Sequence, residues 1–247
     1  MKYCKLLLII MAFSFFGCKK ETYVPIECMD FHQLVAKNDI NRVEYHLKNG
    51  MNPNCIINAG VTPLMTAAVY NRTDVIDFLT SYNAEINKQT DSGWTALLYA
   101  AENGNYQAVD LLIKKGANIN LRLKGGENAL TQACYKGHFK VAKLLLDKGI
   151  DVNTADNEIG LNALIMTSDV GNLELVKTIL PLTDNIDHQN KYGETALMRA
   201  AMKGHYDVAK YLLEMKSNKS IKDTFGNDAL FYAHKFDHPQ LIDLLTK

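Results

Sequence analysis

Three histidines of this 247-residue chain, His138, His205 and His238, stand at the same point of a recurring turn. Imidazole is the commonest metal ligand and general base near neutral pH. Lying one to a unit along the chain, however, the three are too far apart to share a metal. Recurrence at one structural position points instead to a capping or interhelical hydrogen bond. A second candidate is the oxygen-rich stretch Asp151, Asn153, Asp156 and Glu158. Calcium takes such ligands, but this stretch has neither the EF-hand spacing nor its central glycine. It reads as an exposed polar loop. After the leader the cysteines are Cys28, Cys55 and Cys134, with no C-x-x-C pair. Structural zinc needs four ligands, so no zinc site is expected. Cys28 and Cys55 both lie in the N-terminal part and are free to pair in an oxidising compartment. The sequence leaves that pairing open. No nucleophile elbow, phosphate loop or H-E-x-x-H occurs. No catalytic residue, metal or cofactor is therefore assigned, and the expectation is a chain that is not an enzyme.

Composition narrows the partners. Hydrophobic residues make up 47% and charged residues 22%, a globular rather than a disordered balance. The formal net charge is zero, which argues against nucleic acid, since binding phosphates needs a basic surface.

The first residues, MKYCKLLLIIMAFSFFGCKK, follow a different pattern. Lys2 and Lys5 precede an apolar run from Leu6 to Phe16, then Gly17-Cys18. The run is short of the roughly 20 apolar residues that span a bilayer. A charged start, a short apolar core and a small residue before a cut make a secretory signal. A cysteine directly after the small residue makes it resemble a bacterial lipoprotein signal. That resemblance implies cleavage before Cys18 and lipid on Cys18. In the box Phe15-Phe16-Gly17-Cys18 the last two residues fit and the two phenylalanines depart; the plainer alternative is an ordinary signal with an incidental cysteine. The expected organisation is a signal peptide over 1–17, anchor and linker over 18–26, and a repeat domain over 27–247. So short a linker holds the domain close to the membrane.

The elements that position any surface come from a repeat. Gly60, Gly93, Gly126, Gly160, Gly193 and Gly226 open similar phrases, spaced by 33, 33, 34, 33 and 33 residues. A fixed period of this length means a solenoid. Thr62, Thr95, Asn128, Asn162, Thr195 or Asp228 then precedes an Ala/Pro-Leu pair, an N-cap and first turn. Ala67-Ala68, Ala100-Ala101 and Ala200-Ala201 offer small side chains for a close second helix. Gly104, Gly137, Gly171 and Gly204 mark where the first helix stops. Val109, Leu111 and Leu112, like Val141, Leu144 and Leu145, follow with helical periodicity. Gly-Asn loops such as Gly116 to Asn120 close each unit. The fifth unit is the least regular: Thr167-Ser168 replaces the alanine pair, Pro181 shortens the second helix, and the extra residue falls near Asp156-Asn157-Glu158. A weak seam is expected there.

A 33-residue unit opening G-x-T-P-L resembles the ankyrin repeat. Thr62-Pro63-Leu64 carries the match most fully, while Met65, Leu98, Thr131, Ile165, Met198 and Phe231 replace the histidine of the family. The resemblance implies an all-α solenoid of stacked helix-turn-helix units with protruding β-hairpin-like loops. It gives seven units: a degenerate cap at 27–59, repeats from 60, 93, 126, 160 and 193, and a truncated unit over 226–247. It also implies a protein partner on the concave face of loop tips and first helices. The contact places it assigns are Asp91, Ser92, Trp94, Glu102 and Asn103 in the third unit, and Lys124, Glu127, Tyr135 and Lys136 in the fourth. In the sixth they are Lys191, Tyr192, Glu194, Met202 and Lys203; Tyr70 and Phe225 add the second and seventh. Trp94 and Tyr192 are expected to stand clear of the core as anchors, while Phe225 and Phe236 have the alternative of plugging the C-terminal end. The reading is a monomeric, exported, membrane-anchored module of the bacterial envelope that binds another protein. An inhibitor or immunity-type protein that neutralises a toxin or enzyme is the alternative, and a toxin-like neighbouring gene would favour it.

Overall fold

The computed structural model describes residues 26–247; the leader and Cys18 lie outside the described residues. The described residues form an all-α solenoid of seven helix pairs. These are α1 (Cys28–Lys37) with α2 (Ile40–Lys48), α3 (Pro63–Val69) with α4 (Thr73–Ser81), and α5 (Ala96–Glu102) with α6 (Tyr106–Lys114). Then come α7 (Ala129–Tyr135) with α8 (Phe139–Asp147), and α9 (Ala163–Val170) with α10 (Leu173–Ile179). The last pairs are α11 (Ala196–Lys203) with α12 (Tyr206–Glu214), and α13 (Ala229–Lys235) with α14 (Pro239–Thr246).

Each first helix from α3 onward starts as its sequence dictates. The side chains of Thr62, Thr95, Asn128, Asn162, Thr195 and Asp228 accept from the backbone N–H three residues on, at 2.9–3.3 Å. Each such bond satisfies a donor the helix itself cannot. The first helices end on a left-handed residue. Gly104 is one (φ +70°), and a Cβ there would meet the His138 ring at 2.6 Å, so glycine both makes the turn and admits the next unit. Asn38, Asn71 and Asp237 hold the same turn elsewhere (φ 55° to 60°).

The core is one continuous stripe between the helix layers. Leu64, Leu97, Leu130, Leu164 and Leu197 occupy one register, and all are buried. Ala67, Ala100, Ala133 and Ala200 are fully buried, which lets the paired helices close on each other.

Three hydrogen-bond ladders run along the stack. At the tips, backbone N–H groups of Asp91, Lys124, Asn157, Lys191 and Thr224 donate to Ala59, Ser92, Gly125, Ile159 and Tyr192 of the preceding unit. In the loops, Asn54, Asn87, Asn120, Asn153 and Asp187 accept from the backbone N–H of Glu85, Asn118, Asp151, Asp184 and Asn218. At the helix turns, side chains donate back to the first helix of the previous unit. Arg72 reaches Ala36 O (3.0 Å), Asn105 reaches Ala68 O (2.8 Å), His138 reaches Glu102 O (2.9 Å), His205 reaches Asp169 O (3.0 Å) and His238 reaches Met202 O (3.3 Å). The recurring histidines are thus interhelical struts.

The last ladder lacks one rung. In the fifth unit Asn172 takes this place, and its Oδ1 accepts from Leu175 N–H (2.9 Å) within its own helix. There α10 has 7 residues against 9 in α8 and α12, and Leu180–Leu182 continues as a 3-10 turn around Pro181. Thr167 returns its hydroxyl to Ala163 O (2.8 Å), but the fully buried Ser168 Oγ has no partner.

The protruding loops are hairpin-like turns, closed across the tip by bonds such as Thr90 N–H to Trp94 O (2.9 Å) and Asn190 N–H to Glu194 O (3.0 Å). Among the described residues there is no strand, only the isolated bridges Ile57–Val61 and Ala155–Asn162. A single backbone bond between neighbouring tips ties them without a ladder.

Candidate protein-binding surface

The candidate surface is made of tips and first-helix ends. Tyr70, Tyr135, Tyr192 and Phe225 are 53%, 67%, 50% and 78% exposed. Asp91, Ser92, Asn103, Lys124, Lys136, Lys191 and Lys203 are exposed beside them, and Glu102, Glu127, Glu194 and Met202 are half-buried. Trp94 departs from the expectation that it stands clear of the core. It is half-buried, packs against core residues and stacks on Tyr99, with ring centroids 4.6 Å apart and planes at 17°. The residue after the opening glycine leans over the second turn of its own first helix, where Tyr99 offers a flat partner.

At the C-terminal end Phe225 plugs nothing. Tyr232 is the buried ring; its hydroxyl donates to Asp223, and Phe236 stacks on it at 6.5 Å. Tyr99, Gln132, Met166, Arg199 and Tyr232 share a place on successive first helices, six residues after each opening glycine. Sequence reasoning missed this stripe. Its signal was present, because residue type at this place varies between units while the neighbouring Leu and Ala places repeat. Arg199 shows what it can do: it pairs with Asp169 at 2.8 Å and Glu194 at 3.3 Å.

The candidate chemistry elsewhere is already engaged. Asp156 accepts from the N–H of Glu158, Ile159 and Leu161 at 2.6–2.9 Å, closing its own loop. Asp151 accepts from Arg122 and Thr154, both at 3.0 Å. These carboxylates organise a turn. Burial pushes the Cys134 thiol up to about 12, which keeps it protonated and unreactive.

Cys28 and Cys55, left open by the sequence, form a disulfide with Cα atoms 5.8 Å apart. His32 lies beside them, and the ligand atoms of the three residues fall within 4.8 Å of one another. With the sulfurs joined there is no thiolate to bind a metal, and the trio acts as a clip. His32 instead pairs with Thr66 Oγ1 (2.7 Å) and donates to Cys55 O (3.3 Å).

Comparison with known proteins places this scaffold. A family model described as Ankyrin repeats (3 copies) matches residues 31–123, 83–156, 122–184 and 163–247, which together span nearly all the described chain. The chain belongs to the ankyrin-repeat family. No curated protein matches it by sequence. Among solved structures it is similar to the ankyrin repeat domain of Bcl-3, described as a unique member of the IkappaB protein family. That match has 22% identity and a TM-score of 0.73, covering 86% of this chain and 97% of the other. It is also similar to the human ASB11 ankyrin repeat domain, at 22% identity and a TM-score of 0.75, covering 86% and 96%. At this identity the likeness shows the fold alone. Ankyrin-repeat domains are protein–protein interaction modules, generally without catalysis, and that class of function comes with the family.

Proposed function

We propose that this chain is an exported, lipid-anchored interaction protein that holds a partner protein on its concave face. One observation carries the binding face: the four most exposed aromatic rings, on Tyr70, Tyr135, Tyr192 and Phe225, lie along tips and helix ends, while Tyr106, Phe231 and Phe236 are exposed less and the other described aromatics are half-buried or buried. Tyrosine is enriched at interface hot spots. The contact set is Tyr70, Asp91, Ser92, Trp94, Glu102, Asn103, Lys124, Glu127, Tyr135, Lys136, Lys191, Tyr192, Glu194, Met202, Lys203 and Phe225. A balanced formal charge supports a protein rather than a nucleic-acid partner.

Two features support export. The leader has the secretory pattern with Cys18 at the lipoprotein position. The Cys28–Cys55 bond suits an oxidising compartment. Among the described residues no helix is long and apolar enough to cross a membrane, so attachment falls to the lipid on Cys18.

Pull-down from solubilised membranes with the full chain, followed by Tyr135→Ala and Tyr192→Ala, tests the binding face. Both variants should stay folded and lose partner; retention of full affinity by both would refute it. Labelling with a clickable fatty acid tests the anchor: wild type should carry label and Cys18→Ser none.

A further inference from the structure

Two places in the stack carry a pair of acids at the same register, and only one carries a cation between them. In the sixth unit Arg199 lies between Glu194 of its own tip (3.3 Å) and Asp169 of the preceding first helix (2.8 Å). Asn190 also donates to Glu194 (2.8 Å). Two units earlier the same register places hold Glu127 and Glu102, but Gln132 stands where Arg199 would be and Leu123 where Asn190 would be. Glu102 takes Lys136 at 3.2 Å. Glu127 has no cation, and its Oε2 is buried without a hydrogen-bond partner. Glu127 as a whole is half-buried, so its carboxylate is open to a positive group brought from outside, as the carboxylate of Glu194 is to Arg199.

The surroundings form a site for one. Glu102, Glu127, Gln132, Tyr135, Lys136 and Glu158 line an open groove of about 350 Å³ between the fourth and fifth units. Four carboxylates and one ammonium border it, counting Asp156, whose oxygens are already held by backbone N–H groups. The groove opens at the seam that has lost its side-chain strut. Tyr135 lines it as an exposed ring with the Lys136 ammonium 5.8 Å from its centroid, the kind of cation contact that a guanidinium would share there.

We infer that this groove receives an arginine side chain of the partner protein, whose guanidinium takes beside Glu127 and Glu102 the place that Arg199 takes beside Glu194 and Asp169. Arginine fits better than lysine because its planar fork reaches two carboxylates and stacks on tyrosine. This rests on the concave-face reading and names one subsite within it.

The test uses the full chain in detergent and two capped peptides, Gly-Arg-Gly and its citrulline counterpart, with nuclear magnetic resonance shifts as the readout. At about 50 mM salt the arginine peptide should bind about tenfold or more tighter than the neutral one. The difference should vanish in Glu127→Gln and persist in Glu194→Gln. Gln132→Arg should fill the site from within: it should raise the melting temperature and abolish peptide binding. Equal binding of the two peptides to wild type, or an arginine preference that survives Glu127→Gln and Gln132→Arg, would overturn the inference. Loss of the captured partner in Tyr192→Ala without any effect of Glu127→Gln would leave the concave face standing and remove the subsite. An intact arginine preference with no effect of concave-face variants on the captured partner would instead keep the subsite chemistry and remove the concave face as that partner's site.

Discussion

Single residues here are legible when they repeat and obscure when they do not. The N-caps were readable because Thr62, Thr95 and Asn128 write the same bond again and again. The histidines were readable as struts for the same reason. Trp94 was not, because whether a ring stands in solvent or lies on Tyr99 depends on its rotamer and on a residue five places on. Glu127 was placed on the binding face, but its missing cation emerges only when its neighbours are set against those of Glu194. Ser168 is the case with a sharp energetic consequence. It replaces the second alanine of the pair, is fully buried, and its hydroxyl has no partner. Such a group costs about 1–3 kcal/mol in desolvation. Ser168→Ala should therefore stabilise the fold by about 1 kcal/mol or more, seen as a rise in the urea midpoint. An unchanged or lowered midpoint would mean that the hydroxyl is satisfied in solution.

At the scale of elements, the ends and the seam differ from the regular repeats. The N-terminal pair α1–α2 has the disulfide and two buried histidines. Burial lowers the pKa of His32 below 6.5, with the Cys55 carbonyl pulling partly back, and burial with the nearby Arg42 lowers that of His46. A lowered folded-state pKa means that the unfolded chain binds protons first. The stabilising contribution is complete above about pH 6.5 and is lost as pH falls towards the lower folded values. Hydrogen exchange should show α1 and α2 opening sooner at about pH 5.5 than at about pH 7.5, while α11 and α12 change less. The fifth unit is the other weak element. Its irregularity was legible in Thr167-Ser168 and Pro181; the loss of the Asn172 strut was not, because asparagine at that place makes a cross-unit bond at Asn105 and a local one here. Leu164 is buried, so Leu164→Ala should cost about 2–5 kcal/mol. Because repeats contact only their neighbours, that loss should split unfolding into two transitions, and a single two-state urea curve would deny the seam.

At the scale of the whole molecule, the period gave the solenoid and the order of its units, and the caps and helical apolar spacing, with the ankyrin resemblance, gave its all-α class. It did not give the form of the loops, where a few backbone bonds close each tip and one more joins it to the next, without a strand ladder. Nor did it rank the contact residues by what they are free to do. The structure makes Tyr135 and Tyr192 the freer anchors, since both rings are at least half exposed, while Trp94 also holds Tyr99 in place. Three substitutions should therefore separate. Tyr135→Ala and Tyr192→Ala should keep the wild-type melting temperature and weaken partner binding, by about 2 kcal/mol if each is a hot spot. Trp94→Ala should lower both, because it removes a stacked ring worth about 0.5–1.5 kcal/mol beyond its burial. Lys143 lies exposed on α8, a second helix on the opposite side of the stack. Lys143→Glu should leave affinity unchanged at about 0.15 M salt, where charges more than roughly 8 Å from the contact are screened. Affinity for the captured partner, measured beside circular dichroism melts, decides among these. A strong effect of Lys143→Glu with none from the two tyrosines would place the partner on the second-helix side instead.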